Sequence, residues 1–457
     1  MAYYKRHIDE KLLEWKDAPR RKPLLIRGAR QVGKSTAVRE LGKTFKYYVE
    51  INLERQQSLR ALFTEDIDVR KTCTNLSATL SIPIVPGETL LFINEIQSCQ
   101  PAIRALRYFK EDYPELHVIA AGSLLEFALE ELPSFAVGRI RSLYMYPFSF
   151  DEFLSAQGLD LQIAAKRAAT SANPLIGPLH TRMKEQIRSY YLVGGMPAAV
   201  TEWIESGSYA EVRRVHNDII DTYEDDFPKY RKRISPVLLR MVLDSAARQA
   251  GRKFVFAQVS RDIHSSSIKE ALTLLTLAGL LTPVTHTDGN GLPLGAEADM
   301  SYRKYLFLDT GLMLTMLGTP ASDILLSSET DLVNKGPLSE MFAGLELIKY
   351  GDCFVKPSMY YWQHQSRNGN AEVDYLTGRA GQVLPIEVKA GTQGSMQSLY
   401  LFMRKRHLTD AVRCSLENFS QFDHVDAEDN QAVRHIEIVP LYALSTYTGV
   451  NTEAVRA

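Results

Sequence analysis

The 457-residue chain has few cysteines, only Cys73, Cys99, Cys353 and Cys414, and no CxxC spacing among them. That excludes a disulfide scaffold and a zinc knuckle, and it fits a reducing, cytoplasmic setting. An excess of one charge is also missing: 53 lysines and arginines stand against 54 acidic residues, a formal net charge of −1. A global electrostatic footprint for nucleic acid is thereby excluded, and any DNA contact has to be local. The charge-free run in the middle of the chain, Ala271–Val284, is too short to cross a bilayer and contains threonine and proline. Met1-Ala2-Tyr3-Tyr4-Lys5-Arg6 runs into charged helical sequence without the apolar core of a signal peptide, so neither export nor membrane insertion is expected. Internal repeats and low-complexity tracts are absent as well.

What is present is enough sequence for two to four domains, each with its own interior. Up to about residue 150, short apolar runs alternate with helical patterns: Pro23–Arg27, helical Ser35–Leu41, Tyr47–Asn52, Thr89–Asn94, helical Ala102–Asp112, and His117–Ala121. Buried strands separated by helices predict a parallel sheet covered on both faces, an α/β fold. Ser149 to Trp203 reads as mostly helical, and the charged stretch Glu224–Arg233 reads as an exposed connection and the main domain boundary. Val237–Ala250, Phe256–Ile263 and Ser267–Leu277 then read as three helices, followed by a hairpin of Leu280–His286 and Tyr302–Leu308. That order is a winged-helix outline. The last part opens with a helix from about Ser328 through Glu340 and continues with strands at Tyr360–Trp362, Ala371–Thr377 and Val383–Lys389.

The most specific motif is Gly28-Ala29-Arg30-Gln31-Val32-Gly33-Lys34-Ser35-Thr36, between the apolar run Leu24-Leu25-Ile26 and a helical segment. Glycines let backbone N–H groups approach phosphates, a lysine reaches the β- and γ-oxygens, and a hydroxyl faces magnesium. Lys34 and Ser35 stand in the last two places, so ATP with Mg²⁺ is the expected ligand. A second strand should end in an acidic pair, one member beside the metal and one polarising water. Leu90-Leu91-Phe92-Ile93-Asn94-Glu95 has that form, with an amide at Asn94 in the metal place and Glu95 as the base or water-orienting group. A third strand ends in Gly122-Ser123, where Ser123 either senses the γ-phosphate or caps a helix. Arg139 is either an arginine finger for a neighbouring subunit or a solvated surface residue.

These stretches, with Tyr146–Phe153 and Tyr191–Pro197, resemble bacterial and archaeal AAA-type ATPases whose C-terminal half is a domain of uncharacterised function. The resemblance covers most of the chain. Taken with the pattern along the chain, it gives an expected division into an AAA-type P-loop ATPase core at residues 1–155, a helical lid and connection at 156–235, a winged-helix-like domain at 236–320 and a PD-(D/E)xK nuclease-like domain at 321–457. The family pattern has Asp-Glu at the second motif, so Asn94 is a departure on the magnesium side.

In the C-terminal part, Asp374 precedes Glu387-Val388-Lys389 by 13 positions, both in strand-like segments. Alternation puts Glu387 and Lys389 on one face of a strand, and Asp374 on a neighbouring strand can join them. Two carboxylates for a metal and a lysine for water suit phosphodiester hydrolysis, with Glu340 as a further ligand. The arrangement resembles the PD-(D/E)xK nucleases, a restriction-endonuclease-like α/β fold. The alternative is a surface strand with an incidental salt bridge, or a nuclease-like fold used only for binding. The Ser267–Leu277 helix offers Lys269 but is otherwise apolar, and Arg404-Lys405-Arg406-His407 is either a phosphate contact or a solvated helix face. Trp203 and Trp362 read as packing residues. The expected function is an ATPase that governs DNA binding or Mg²⁺-dependent DNA cleavage, forming homo-oligomers through its ATPase domain. The alternative is an ATP-dependent switch with an inactive nuclease-like domain; a small-molecule kinase lacks a recognisable acceptor site.

Overall fold

Five short strands build the N-terminal sheet: β1 (Leu24–Arg27), β2 (Tyr47–Asn52), β3 (Thr89–Asn94), β4 (His117–Ala121) and β5 (Arg141–Tyr144). They run parallel in the order β2-β3-β4-β1-β5. Successive residues of a strand face opposite sides of a sheet, and every residue of β3 and β4 is buried, so both faces of the sheet are covered. The Gln100–Asp112 helix covers one of them with Ala102, Ala105, Leu106 and Phe109, a helical stripe packed with Leu91, Ile93 and Val118. Each large apolar side chain buried there stabilises the unit by roughly 1.5–3 kcal/mol.

The computed structural model describes residues 3–64, 66–130, 138–230, 234–326, 336–366, 369–391 and 395–444. They divide into two compact units. One is Met1–Pro147 with Leu277–Gly279 and Cys353–Lys356; the other is Phe148–Thr276, Leu280–Asp352 and Pro357–Ala457.

The second unit carries an eight-stranded mixed sheet: β6 (Leu281–Thr287), β7 (Ala298–Phe307), β8 (Met359–Ser366), β9 (Gly369–Arg379), β10 (Gln382–Val388), β11 (Asp410–Ser415), β12 (Ser420–Asp426) and β13 (Ala432–Pro440). Its order is β12-β13-β11-β10-β9-β8-β6-β7. β8, β9 and β10 form an antiparallel meander, and the Gln397–Arg406 helix then returns the chain to β11, parallel to β10. The helix Gly336–Lys349 precedes the meander, and its expected start at Ser328 lies outside the described residues.

The charged stretch is not an exposed connection where it is described. A helix runs from Tyr209 to Asp226, and Asp226, Phe227 and Tyr230 are buried. Its charges are paired, Glu224 with Arg240 and Asp226 with Lys229, which makes burial tolerable. Arg231-Lys232-Arg233 lie outside the described residues. The helical pattern at Phe256–Ile263 yields only a 3₁₀ turn, Phe256–Gln258. Past it the Asp262 N–H donates to the Ser260 hydroxyl, a local bond that competes with helix. The β6–β7 hairpin does not close a separate winged-helix module either, because β6 pairs in parallel with β8 and extends the C-terminal sheet.

Helices of this unit bury several polar groups against one another. Ser149 and Glu152 form a capping box at the start of the Phe150–Ala156 helix, and the Phe150 N–H donates to Glu346 of the Gly336–Lys349 helix at 3.0 Å. Lys349 donates to the Tyr190 hydroxyl at 2.6 Å, and that hydroxyl donates to the Phe148 carbonyl at 2.5 Å. The Phe148–Phe153 part of the family-like motif is thus an anchoring segment.

Candidate functional site

The parallel register sets the N-terminal site. Ile26 of β1 and Asn94 of β3 both pair with Ala121 of β4, so three loops leave the sheet at the same level. They are the phosphate-loop motif, Asn94-Glu95 and Gly122-Ser123. Ligands of open α/β sheets bind at this carboxyl edge.

The loop needs its glycines. Gly28 has φ +140°, and a Cβ there would lie 2.1 Å from the Met145 carbonyl oxygen. Gly33 is left-handed, as is Gln31, and Gly33 opens the Lys34–Gly42 helix, whose N-terminus favours an anion. Ala29 and Val32 are buried, with Arg30 between them in the loop and Thr36 in the helix that follows. Lys34 is buried and donates to the carbonyls of Gly28 and Ala29 at 2.8 and 2.7 Å. Burial pushes its pKa down to about 8, with Arg30 adding to the shift and Glu95 opposing it.

The Ser35 hydroxyl lies 3.4 Å from Asn94 Oδ1, and Asn94 Nδ2 lies 3.4 Å from Glu50 Oε1 on β2. Glu50 is itself held by Arg39 through two 2.8 Å contacts. The amide oxygen is thus turned toward Ser35, and two neutral oxygens stand where Mg²⁺ would bind. Both are hard donors that suit Mg²⁺, which usually keeps several waters and takes further oxygens from substrate phosphates. Glu95 has φ +52°, a left-handed conformation rare for a side chain of its kind. Its carboxylate accepts from Gln97 Nε2 at 2.6 Å and from the Ser123 hydroxyl at 3.2 Å. The Ser123 N–H and hydroxyl thus both face the Glu95 carboxylate. Arg139 is half exposed and pairs with Glu111 at 2.8 Å.

Sequence reading missed Arg6. Its guanidinium is buried and donates to the carbonyls of Val32 at 3.2 Å and Tyr146 at 2.8 Å, bracing the loop from the N-terminal segment. A lone basic residue before a helix carries no signal of that task.

The C-terminal constellation sits at the β9–β10 pair. Tyr375 pairs with Ile386, so Asp374 stands opposite Glu387, and Asp374 Oδ2 accepts from the Val388 N–H at 2.7 Å. Lys389 donates to Glu387 Oε1 at 2.5 Å, which places them on one side as the alternation predicts. Glu387 Oε2 is buried with no partner. Glu340, Glu372 and Asp374 offer oxygens that lie within 4.8 Å of one another. Neither Glu372 nor Lys304 of β7 was singled out from sequence, yet the buried Lys304 ammonium donates to Glu340 Oε1 at 2.7 Å and to Glu372. Strand β7 was assigned to another module, so nothing local tied Lys304 to this cluster.

Two ammoniums face four carboxyls here, and the deficit appears in the proton affinities. Burial, with Asp374 and Glu372 adding, pushes Glu340 up to about 8 against the pull of Lys304. Burial and Asp374 push Glu387 up to about 8 against Lys389. Burial also raises Asp374, despite Lys304 and the Val388 N–H. For Lys304 burial works against the charge, but the carboxylates of Glu340, Glu372 and Asp374 outweigh it and raise the pKa. An orphaned carboxylate oxygen in a cluster short of positive charge fits a divalent cation.

The basic run does not form an open phosphate patch. Arg404 pairs with Asp426 and Glu428, Arg406 donates to the Asp288 carbonyl, and Lys405 meets His364. The Ser265–Leu277 helix buries Ile268, Ala271, Leu272, Leu274 and Leu275, a core face. Trp362 is buried against Phe402, and Trp203 stacks on Tyr209. Among the described residues no helix is long and apolar enough to cross a membrane.

Residues 20–154 match the AAA domain family, residues 184–323 a domain of unknown function (DUF8612), and residues 335–443 a second domain of unknown function (DUF4143). No curated protein matches the chain in sequence. Among solved structures the S. cerevisiae Hsp104-ADP complex aligns at 11% identity and a TM-score of 0.29, covering 76% of this chain and 43% of that one. The chain thus spans less than half the length of that neighbour, and a likeness this low carries no argument. The family match and the loop geometry together support an AAA-type P-loop ATPase fold for residues 20–154.

Proposed function

We propose that the chain hydrolyses ATP at this loop and uses the nucleotide state to govern the action of its C-terminal unit on DNA, including Mg²⁺-dependent cleavage. The observation that carries the ATPase reading is the gathering of Lys34, the Ser35–Asn94 pair and the Glu95–Ser123 pair at one edge of the sheet. Lys34 would leave the carbonyls of Gly28 and Ala29 for the β- and γ-phosphates, and the loop N–H groups would hold the rest of the triphosphate. Glu95 takes a proton from water as the water oxygen bonds to the γ-phosphorus; the bond to the ADP oxygen breaks, leaving ADP and phosphate. Bound Mg²⁺, against Ser35 and Asn94, would supply positive charge to the phosphates. Ser123 positions Glu95, and Arg139 would reach a neighbouring copy's nucleotide in a homo-oligomer. Three of the four cysteines are buried and all are free, in keeping with a cytoplasmic protein.

In the C-terminal unit, the helix–meander–helix–strand order and the Asp374–Glu387–Lys389 grouping support the nuclease reading. Asp374 and Glu387 would hold the metal, which supplies Lewis-acid activation of a phosphodiester. Lys389 would orient the water that bonds to phosphorus while one sugar oxygen departs with a proton. The second reading, an ATP-dependent switch with an inactive nuclease-like unit, is favoured by the Lys304 ammonium already seated among these acids.

The test is a DNA-cleavage assay with Mg²⁺ or Mn²⁺, of wild type against Asp374→Ala, with and without ATP. Nucleotide-dependent cutting that Asp374→Ala abolishes supports the nuclease reading, and no cutting in any nucleotide state leaves the switch. Lys34→Ala should weaken ATP binding roughly 100-fold, the worth of about 3 kcal/mol of charged hydrogen bonds. Equal binding by the two chains would sink the ATPase reading.

A further inference from the structure

Lys304 comes from β7, three strands away from β9 in the sheet with β8 and β6 between them, and bonds Glu340 of the Gly336–Lys349 helix. Its backbone is fixed in the hairpin opposite Val284 of β6 and by a bridge to Lys253 on its other side. Its ammonium lies 5.0 Å from the centre of the Tyr361 ring on β8. The side chain is 2% exposed, so this is a placed charge and not a surface lysine that swings in and out. The two acids it bonds, Glu340 and Glu372, come from the helix and from β9; Asp374 lies two residues farther along the same strand face.

An ammonium already bonds two of the three acids, Glu340 and Glu372. Tetrahedral N–H directions with bonds near 2.7 Å hold acceptors about 4.4 Å apart, whereas octahedral Mg²⁺ draws adjacent oxygens to about 2.9 Å. The three carboxylates offer oxygens within 4.8 Å of one another. On the far side of Asp374 the Lys389 ammonium, more exposed than Lys304, meets only one oxygen of Glu387, and the other, buried, has no partner.

We propose that Lys304 is a built-in cation that fills the Glu340–Glu372 side of the cluster and bars a divalent ion from it, confining metal binding to Asp374 and Glu387. The confinement rests on the nuclease-like reading of Asp374 and Glu387, while the barring rests on Lys304 alone. Lys304 in this role is a positioning and selecting residue: it orders Glu340 and Glu372 and leaves room for one metal. A mechanism that needs two metals on this cluster is then closed to the wild-type chain.

The experiment is Mn²⁺ binding to the full chain without nucleotide, followed by the electron paramagnetic resonance of free Mn²⁺. Wild type should bind an ion that Asp374→Asn removes and Glu340→Gln leaves in place. Lys304→Met, similar in length but uncharged, should take up one additional Mn²⁺, and adding Glu340→Gln to it should remove that ion again. Lys304→Gln serves as a second variant, with circular dichroism to check that each chain is folded. A folded Lys304→Met or Lys304→Gln chain that gains no ion overturns the proposal. So does loss of the wild-type ion on Glu340→Gln, a result that needs no change at Lys304. Failure of wild type to bind any Asp374-dependent ion, with the gain on Lys304→Met intact, overturns the Asp374–Glu387 metal reading and the confinement while upholding the barring by Lys304.

Discussion

The two candidate sites are electrostatic opposites. At the phosphate loop the buried cation, Lys34, bonds only neutral carbonyls, and the Asn94 place that would carry a carboxylate carries an amide. At the β9–β10 pair the acids outnumber the ammoniums, and one carboxylate oxygen is left without a partner. The first site is short of negative charge and suits an anion; the second is short of positive charge and suits a cation. Buried charge left uncompensated by the chain is the mark of a place where a ligand supplies the remainder.

Glu95→Gln tests the side of that contrast on which ATP reacts. Without a base, ATP turnover should fall by about 10²–10⁴-fold, measured as phosphate release, while ATP binding persists. Turnover within a few-fold of wild type would mean that the Glu95–Ser123 pair is structural.

A smaller effect comes from pH. Burial holds free Lys34 at about 8, and phosphate oxygens beside it would raise that value, so the complex holds more protons than the free protein. Affinity for ATP should therefore be level below pH 8 and fall by up to about tenfold per unit above it, as read by calorimetric titration between pH 7 and 9.5. A flat profile would show that Lys34 is not the anion's partner and would break the contrast.

The smallest change is expected from Asn94→Asp, which supplies the carboxylate that the family pattern has. Turnover at limiting Mg²⁺ should rise a few-fold. The price is that Glu50, 3.4 Å from the Asn94 amide, would then face a like charge, and the metal-free protein should lose up to about 1 kcal/mol of stability. A chain stabilised by the substitution in the absence of metal would show that Arg39 already neutralises Glu50.

Much of the N-terminal site was legible because its parts are contiguous. Gly28 to Ser35 form one loop, and Asn94-Glu95 and Gly122-Ser123 each end an apolar run that became β3 and β4 with the expected limits. Arg6 was not legible, since a guanidinium on two carbonyls leaves no pattern in sequence. At the C-terminal site Asp374, Glu387 and Lys389 could be placed together because period-two alternation is local. Glu372 lay in the same strand and was passed over, one of many surface-like acids. The three-helix outline failed at Phe256–Ile263, where Ser260, Arg261 and Asp262 favour local turns despite their apolar neighbours.

What the sequence determined by itself is what short spacings carry: a phosphate-loop motif, an amide before Glu95 at the end of β3, and an Asp…Glu-x-Lys set on adjacent strands. Only the tertiary structure decided that the hairpin belongs to the C-terminal sheet and that its Lys304 lies among Glu340, Glu372 and Asp374. Periodicity reports which side of its own strand a residue faces, within a few positions. The charge that a buried acid meets is set by strand order, and in this sheet that order brings together residues some 70 positions apart in the chain, Lys304 and Glu372 being separated by 68.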